Sequence, residues 1–137
     1  MSARLPNWES RLAAYLHENR ATAFVWGAHD CCLHAANVVA LMTGEDPAAA
    51  QRATYATAAE ARAMLRRDYR GSAWNVPAAH GLQPVALVRA QRGDLVGAAI
   101  RGRRALGGCA GAKSYFVGRD GWVTLPTLEC AKAWRVG

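Results

Sequence analysis

The residues best equipped for chemistry lie in one short run, Trp26-Gly27-Ala28-His29-Asp30-Cys31-Cys32. Asp30 has the side chain of a helix cap, so Cys31 falls in the first turn of the helix that follows. Unpaired N–H groups and the positive end of the helix dipole favour an anion there, and they favour the thiolate over the thiol. A nucleophilic thiol also needs a proton acceptor within hydrogen-bond reach. The chain has four histidines, His17, His29, His34 and His80. His34, three residues after Cys31, stands on the neighbouring turn of the same helix face and is a candidate base, although it must approach the thiol from an unusual side. His29 reads equally as a solvent-facing turn residue, and His80, beside Gly81, reads as a loop residue. Cys31, Asp30 and His34 are therefore the candidate catalytic set. The alternative for Cys31 is a small apolar side chain kept at a tight helix start.

Cys109 and Cys130 complete the four cysteines. There is no CxxC pair and no zinc-finger spacing, and no cofactor is expected. Residues 105, 107 and 109 share one face of a strand, which allows Cys109 to approach Cys31. If Cys130 also converged there, three thiolates could hold a metal ion or an iron-sulfur cluster. Otherwise Cys109 and Cys130 are buried small hydrophobes, and Cys32 packs away from Cys31.

The elements that must position these residues are legible in the spacing. Trp8, Leu12, Tyr15 and Leu16 recur at helical steps over residues 7–18, with Asn7 as cap. A second helix starts at Asp30 or Cys31 and runs through Val38, Val39, Leu41 and Met42 to a stop at Gly44. Thr57-Ala58-Ala59-Glu60 has capping-box spacing and opens a third helix ending near Asp68, with Ala61, Met64 and Leu65 toward the core. From Gly71 onward short apolar runs separated by glycines predict strands at 94–100, 105–109, 114–117, 122–125 and 133–136. Helices first and strands afterwards indicate an α+β fold in one domain over residues 1–137.

With these pieces in place, Trp26-Gly27 followed by Asp30-Cys31 resembles the nucleophile segment of the NlpC/P60 cell-wall peptidases, which are papain-related. Arg92-Gly93-Asp94-Leu95-Val96 resembles their Gly-Asp-Leu-Val strand. Ala105-Leu106-Gly107 and the terminal Ala133-Trp134-Arg135 resemble motifs of a group of tailed-phage and prophage tail proteins. The resemblance implies N-terminal helices packed on a C-terminal antiparallel sheet or partial barrel. In such enzymes a histidine on the strand after Gly-Asp-Leu-Val is the base, and here that stretch reads Ala105-Leu106-Gly107-Gly108-Cys109, with no histidine after Asp94.

The reading that follows is an inactive enzyme scaffold serving as a structural tail-tip or baseplate protein. It would reside in the virion after synthesis in a host cytoplasm, with other tail proteins as partners. One competing reading is an active cysteine peptidase that opens peptidoglycan stem peptides during genome entry, which makes peptidoglycan a second partner. The other is a metal or iron-sulfur tail protein using Cys31, Cys109 and Cys130.

Composition bounds these readings. The chain has 137 residues, is 52% hydrophobic and carries 17 Lys and Arg against 10 Asp and Glu, for a formal charge of +7. That balance suits a packed globule and not a disordered tail. Arg89, Arg92, Arg101, Arg103 and Arg104 concentrate the positive charge. Such a surface could face an acidic partner, an anionic wall or nucleic acid, but no nucleic-acid-binding motif accompanies it. Arg101, Arg103, Arg104, Trp122 and Trp134 are the candidate interface. No run approaches the roughly 20 apolar residues of a membrane span, and no secretory signal is expected at the N-terminus.

Overall fold

The computed structural model describes residues 2–137. Four α-helices, α1 (Trp8–Glu18), α2 (Cys31–Thr43), α3 (Ala58–Tyr69) and the short α4 (Val76–Ala79), precede most of the sheet. The strands are β1 (Pro84–Val85), β2 (Leu95–Ile100), β3 (Arg103–Cys109), β4 (Lys113–Val117), β5 (Trp122–Pro126) and β6 (Lys132–Trp134). They form one antiparallel sheet in the order β1-β6-β2-β3-β4-β5. The fold is α+β, and the sheet stays open instead of closing into a barrel.

Local signals explain the helices. Asp30 is extended at the start of α2 and its Oδ1 accepts from the Leu33 N–H at 3.0 Å, while Gly44 ends the helix in the left-handed conformation. Thr57 Oγ1 accepts from the Glu60 N–H at 3.1 Å, and Glu60 Oε1 returns to the N–H of Ala56. Asn7 differs from expectation: its side chain caps nothing, and its carbonyl takes the Arg11 N–H and the Ser10 hydroxyl instead. The segment after Gly71 also departs from an all-strand reading. The Ser72 hydroxyl accepts from the Trp74 N–H to start a 3₁₀ turn (Ala73–Asn75), and Pro77 suits the first turn of α4.

Two apolar clusters sandwich the sheet. On the helix side Leu12, Val38, Val39 and Met42 meet Leu95, Leu106, Trp134 and Val136. On the far side lie Val96, Ala98, Cys109, Phe116, Cys130 and Ala133. Period-two alternation divides the strands in this way, so Leu95 and Val96 serve opposite cores. A third, smaller cluster of Tyr55, Ala61, Met64 and Tyr69 seats α3. α2 crosses β3 so closely that a Cβ at Gly108 would lie 3.2 Å from the Val38 side chain.

The fold is fastened at Asp94, which has no exposed side-chain surface. Its Oδ1 accepts from Arg4 Nη2 at 3.0 Å and from the Val136 N–H at 3.1 Å. Its Oδ2 accepts from Arg135 Nε at 3.0 Å and from the Gln91 N–H at 2.9 Å. Arg4 also reaches the carbonyls of Val136 and Arg92, and Arg135 reaches that of Arg89. One carboxylate thus ties both ends of the chain to the start of β2. Gly93 before it has a φ of +90°, and a Cβ there would lie 2.2 Å from Met42 Cε. Gly-Asp in this run is accordingly a packing requirement.

Candidate functional site

Cys31 is in the first turn of α2, as its sequence context requires, and its sulfur faces β3. The Cys32 thiol holds the Cys31 thiol below its usual range. Burial opposes this, and the backbone N–H groups of Leu106 and Cys32 add to it. Cys32 is pushed up in turn by Cys31 and by burial. The strand residue that meets the thiol is Leu106, where the sequence offers no imidazole.

Asp30 serves the scaffold. Besides capping α2, its Oδ2 accepts from the Gly27 N–H at 2.9 Å and from the Tyr55 hydroxyl at 2.5 Å. The two oxygens thus accept three hydrogen bonds that hold the loop and the helix start together, and the Trp26-Gly27…Asp30-Cys31 spacing is that of a folded turn.

His34 is fully buried. Its Nε2 lies 3.0 Å from the Tyr115 carbonyl oxygen, and its Nδ1 lies 2.7 Å from the Tyr15 hydroxyl. A carbonyl only accepts, so Nε2 carries the proton and Nδ1 is the acceptor. Burial pushes Tyr15 up to about 12, which keeps it the donor. The one lone pair of this neutral imidazole is therefore already occupied, and the His34 ring stacks with Tyr15 and lies under Trp122, whose ring centroid is 4.7 Å away.

Burial holds His34 down to about 4, against 6.5 when unconstrained. Between those values the unfolded chain takes up a proton that the folded chain refuses. Stability is whole above the upper value and falls by about 3 kcal/mol as pH drops toward the lower one. Burial lowers His29 as well, with Asp30 opposing, so it acts in the same direction. Urea midpoints followed from about pH 7 to about pH 4.5 should drop accordingly, and His34→Gln should flatten the curve. An unchanged slope in that variant would remove His34 as the cause.

The remaining expectations fare differently. His29 is buried, not solvent-facing, with Nε2 unpartnered and its ring 5.6 Å from that of Trp122. Trp122 donates its indole N–H to the Leu16 carbonyl at 2.7 Å, and Trp134 is 4% exposed in the helix-side core. Trp122 is half-buried, and Arg101, Arg103 and Arg104 are exposed.

The three-thiolate site is not assembled. Leu106 and Gly108 face α2, so residues 105, 107 and 109 face away, and Cys109 joins Cys130 in the far-side core while Cys31 packs against the helix-side one. Cys109 there neighbours the Thr127 hydroxyl at 3.7 Å, which is 2.8 Å from that of Ser114. Among the described residues no group of three or more His, Cys, Asp or Glu side chains is placed to hold a metal ion, and no helix is long and apolar enough to cross a membrane. Sequence reasoning missed Tyr15, Tyr55 and Tyr115. The first two could have been suspected from their hydroxyls, since a buried phenol seeks a partner.

The chain matches a known family over residues 3–136. The chain belongs to that family, which is described as a domain of unknown function (DUF6950). No curated protein and no solved structure matches it.

Proposed function

We infer that this chain is a non-hydrolytic structural component of a phage tail tip or baseplate, built on a scaffold of NlpC/P60 type and acting through protein contacts. One observation carries the non-hydrolytic part. The imidazole three residues after the thiol spends its only lone pair on Tyr15, and the strand that meets Cys31 presents Leu106. The tail association rests on the motifs shared with phage-tail proteins, and it places the chain in the virion.

A second reading keeps some support from the downward shift of the Cys31 thiol, since the nucleophile of a cysteine peptidase is a thiolate. Purified chain and its Cys31→Ala variant, incubated with peptidoglycan, separate the two. The structural reading expects no difference in released muropeptides, and Cys31-dependent release overturns it. Mass spectrometry of gradient-purified particles from a lysate that expresses the chain should find it at fixed stoichiometry with tail proteins. Particles lacking it would remove the tail assignment.

A further inference from the structure

Where the helices stop covering the sheet, a groove of about 550 Å³ opens on its helix-side face, within the range of sites that take a ligand or a partner's segment. Trp74 is its platform. The indole N–H donates to the Ala105 carbonyl at 3.0 Å, which fixes the ring over Gly97 so tightly that a Cβ there would lie 2.9 Å from Nε1. Arg104 on β3 and Lys132 on β6 flank the same ring, with Cζ 5.2 Å and Nζ 5.9 Å from its centroid. Both are exposed, and among the described residues neither forms an ion pair. The rest of the lining is neutral, including Ser72, Asn75 and Pro84, and no lining residue is acidic.

The backbone beside the groove is also incomplete. β6 pairs with β2 only as far as Lys132 opposite Gly97, while β2 runs on to Ile100. The Cys109 N–H bonds the Asp94 carbonyl, so alternation along the antiparallel pair makes 98/105 and 100/103 the mutually bonded positions. The N–H and C=O of Ala99 therefore point to the opposite edge, which β6 has left. Ala99 is exposed. An unpaired strand edge accepts an extended polypeptide, which supplies the complementary amides. Nucleic acid and glycans lack the regularly spaced N–H and C=O groups of a peptide backbone.

We propose that this groove receives an acidic, extended segment of a neighbouring protein, added as a strand beside β2 with its carboxylates on Arg104 and Lys132 and an aliphatic or aromatic side chain on Trp74. The proposal rests on the reading of the chain as a binding component, and it names the chemistry of the partner.

Fluorescence anisotropy with a labelled synthetic peptide that repeats Glu-Thr-Leu-Thr, which places glutamate and leucine on one face of an extended chain, tests it. The peptide should bind at low salt and weaken as salt rises. Arg104→Glu/Lys132→Glu should weaken it by about tenfold or more, and Arg104→Gln/Lys132→Gln by less. N-methylating alternate amides of the peptide, which leaves its charge unchanged, should weaken it as strongly. No binding by the acidic peptide, equal binding by the reversed-charge variant, or tighter binding of an oligothymidylate would each overturn the proposal. A failed groove leaves the Cys31 comparison untouched, and Cys31-dependent cleavage would remove the binding reading whatever the groove does.

Discussion

Replacing Asp94 with alanine is expected to cost about 3–5 kcal/mol, the range for removing one partner of a buried ionic cluster. Two guanidinium groups lose their counter-charge, one of them on a side chain only 14% exposed, and the N–H groups of Gln91 and Val136 lose their acceptor. Domains of this size hold only about 5–15 kcal/mol in total, so the variant should be partly unfolded or strongly sensitised to urea. Asp94→Asn retains acceptor capacity but not charge and should fall between the two. Tryptophan fluorescence during urea unfolding reads all three proteins. A loss below about 1 kcal/mol for the alanine variant would mean that the clamp contributes no more than an exposed pair does. The expected result assigns the Gly-Asp-Leu-Val run to the fold, since its aspartate meets Arg4 and Arg135 and lies apart from Cys31.

Asp30→Ala is expected to cost about 4 kcal/mol through a different mechanism. It removes the cap of α2, worth about 1–2 kcal/mol, and strands the Tyr55 hydroxyl and the Gly27 N–H, each worth about 1–3 kcal/mol when buried and unpaired. Asp30→Asn keeps one oxygen for the Leu33 N–H but turns its amide NH₂ toward both the Gly27 N–H and the Tyr55 hydroxyl, of which only the hydroxyl can switch to accepting, so it should lose about half as much. Thermal unfolding followed by circular dichroism measures both, and equal losses in the two variants would show that cap acceptance contributes little. The same residue bears on chemistry, because Asp30 positions the helix start and its negative charge also opposes formation of the Cys31 thiolate. Asp30→Asn, which removes that opposing charge, should leave Cys31 alkylating at least as fast as in the parent, whereas loss of a participating base would slow it sharply.

Much of the architecture was written locally. Asp30 and Gly44 bound α2, and Thr57 with Glu60 opens α3, because caps are satisfied within a turn of the chain. The strand positions followed from short apolar runs and from glycine-containing turns such as Arg101-Gly102, both at positive φ, which suits a two-residue hairpin. The short strand β1 escaped notice because two residues carry no periodicity, and its pairing with Trp134 and Ala133 is set by partners about fifty positions away.

The site itself divides along the same line. That Cys31 begins a helix, that no histidine follows Asp94, and that positive charge gathers around Arg101, Arg103 and Arg104 are properties of the sequence alone, since each depends on identity and near spacing. Which face of β3 meets α2 is not. Alternation states that residues 105, 107 and 109 share a side, but the close crossing of α2 at Gly108 decides that this side looks away from Cys31, and so separates the thiols into two cores. The same holds for His34, whose nitrogens are committed by Tyr15 from α1 and Tyr115 from β4. Helical spacing fixes which residues share a face of α2, whereas the partners each one finds depend on contacts between distant segments, and those exist only once the sheet has formed.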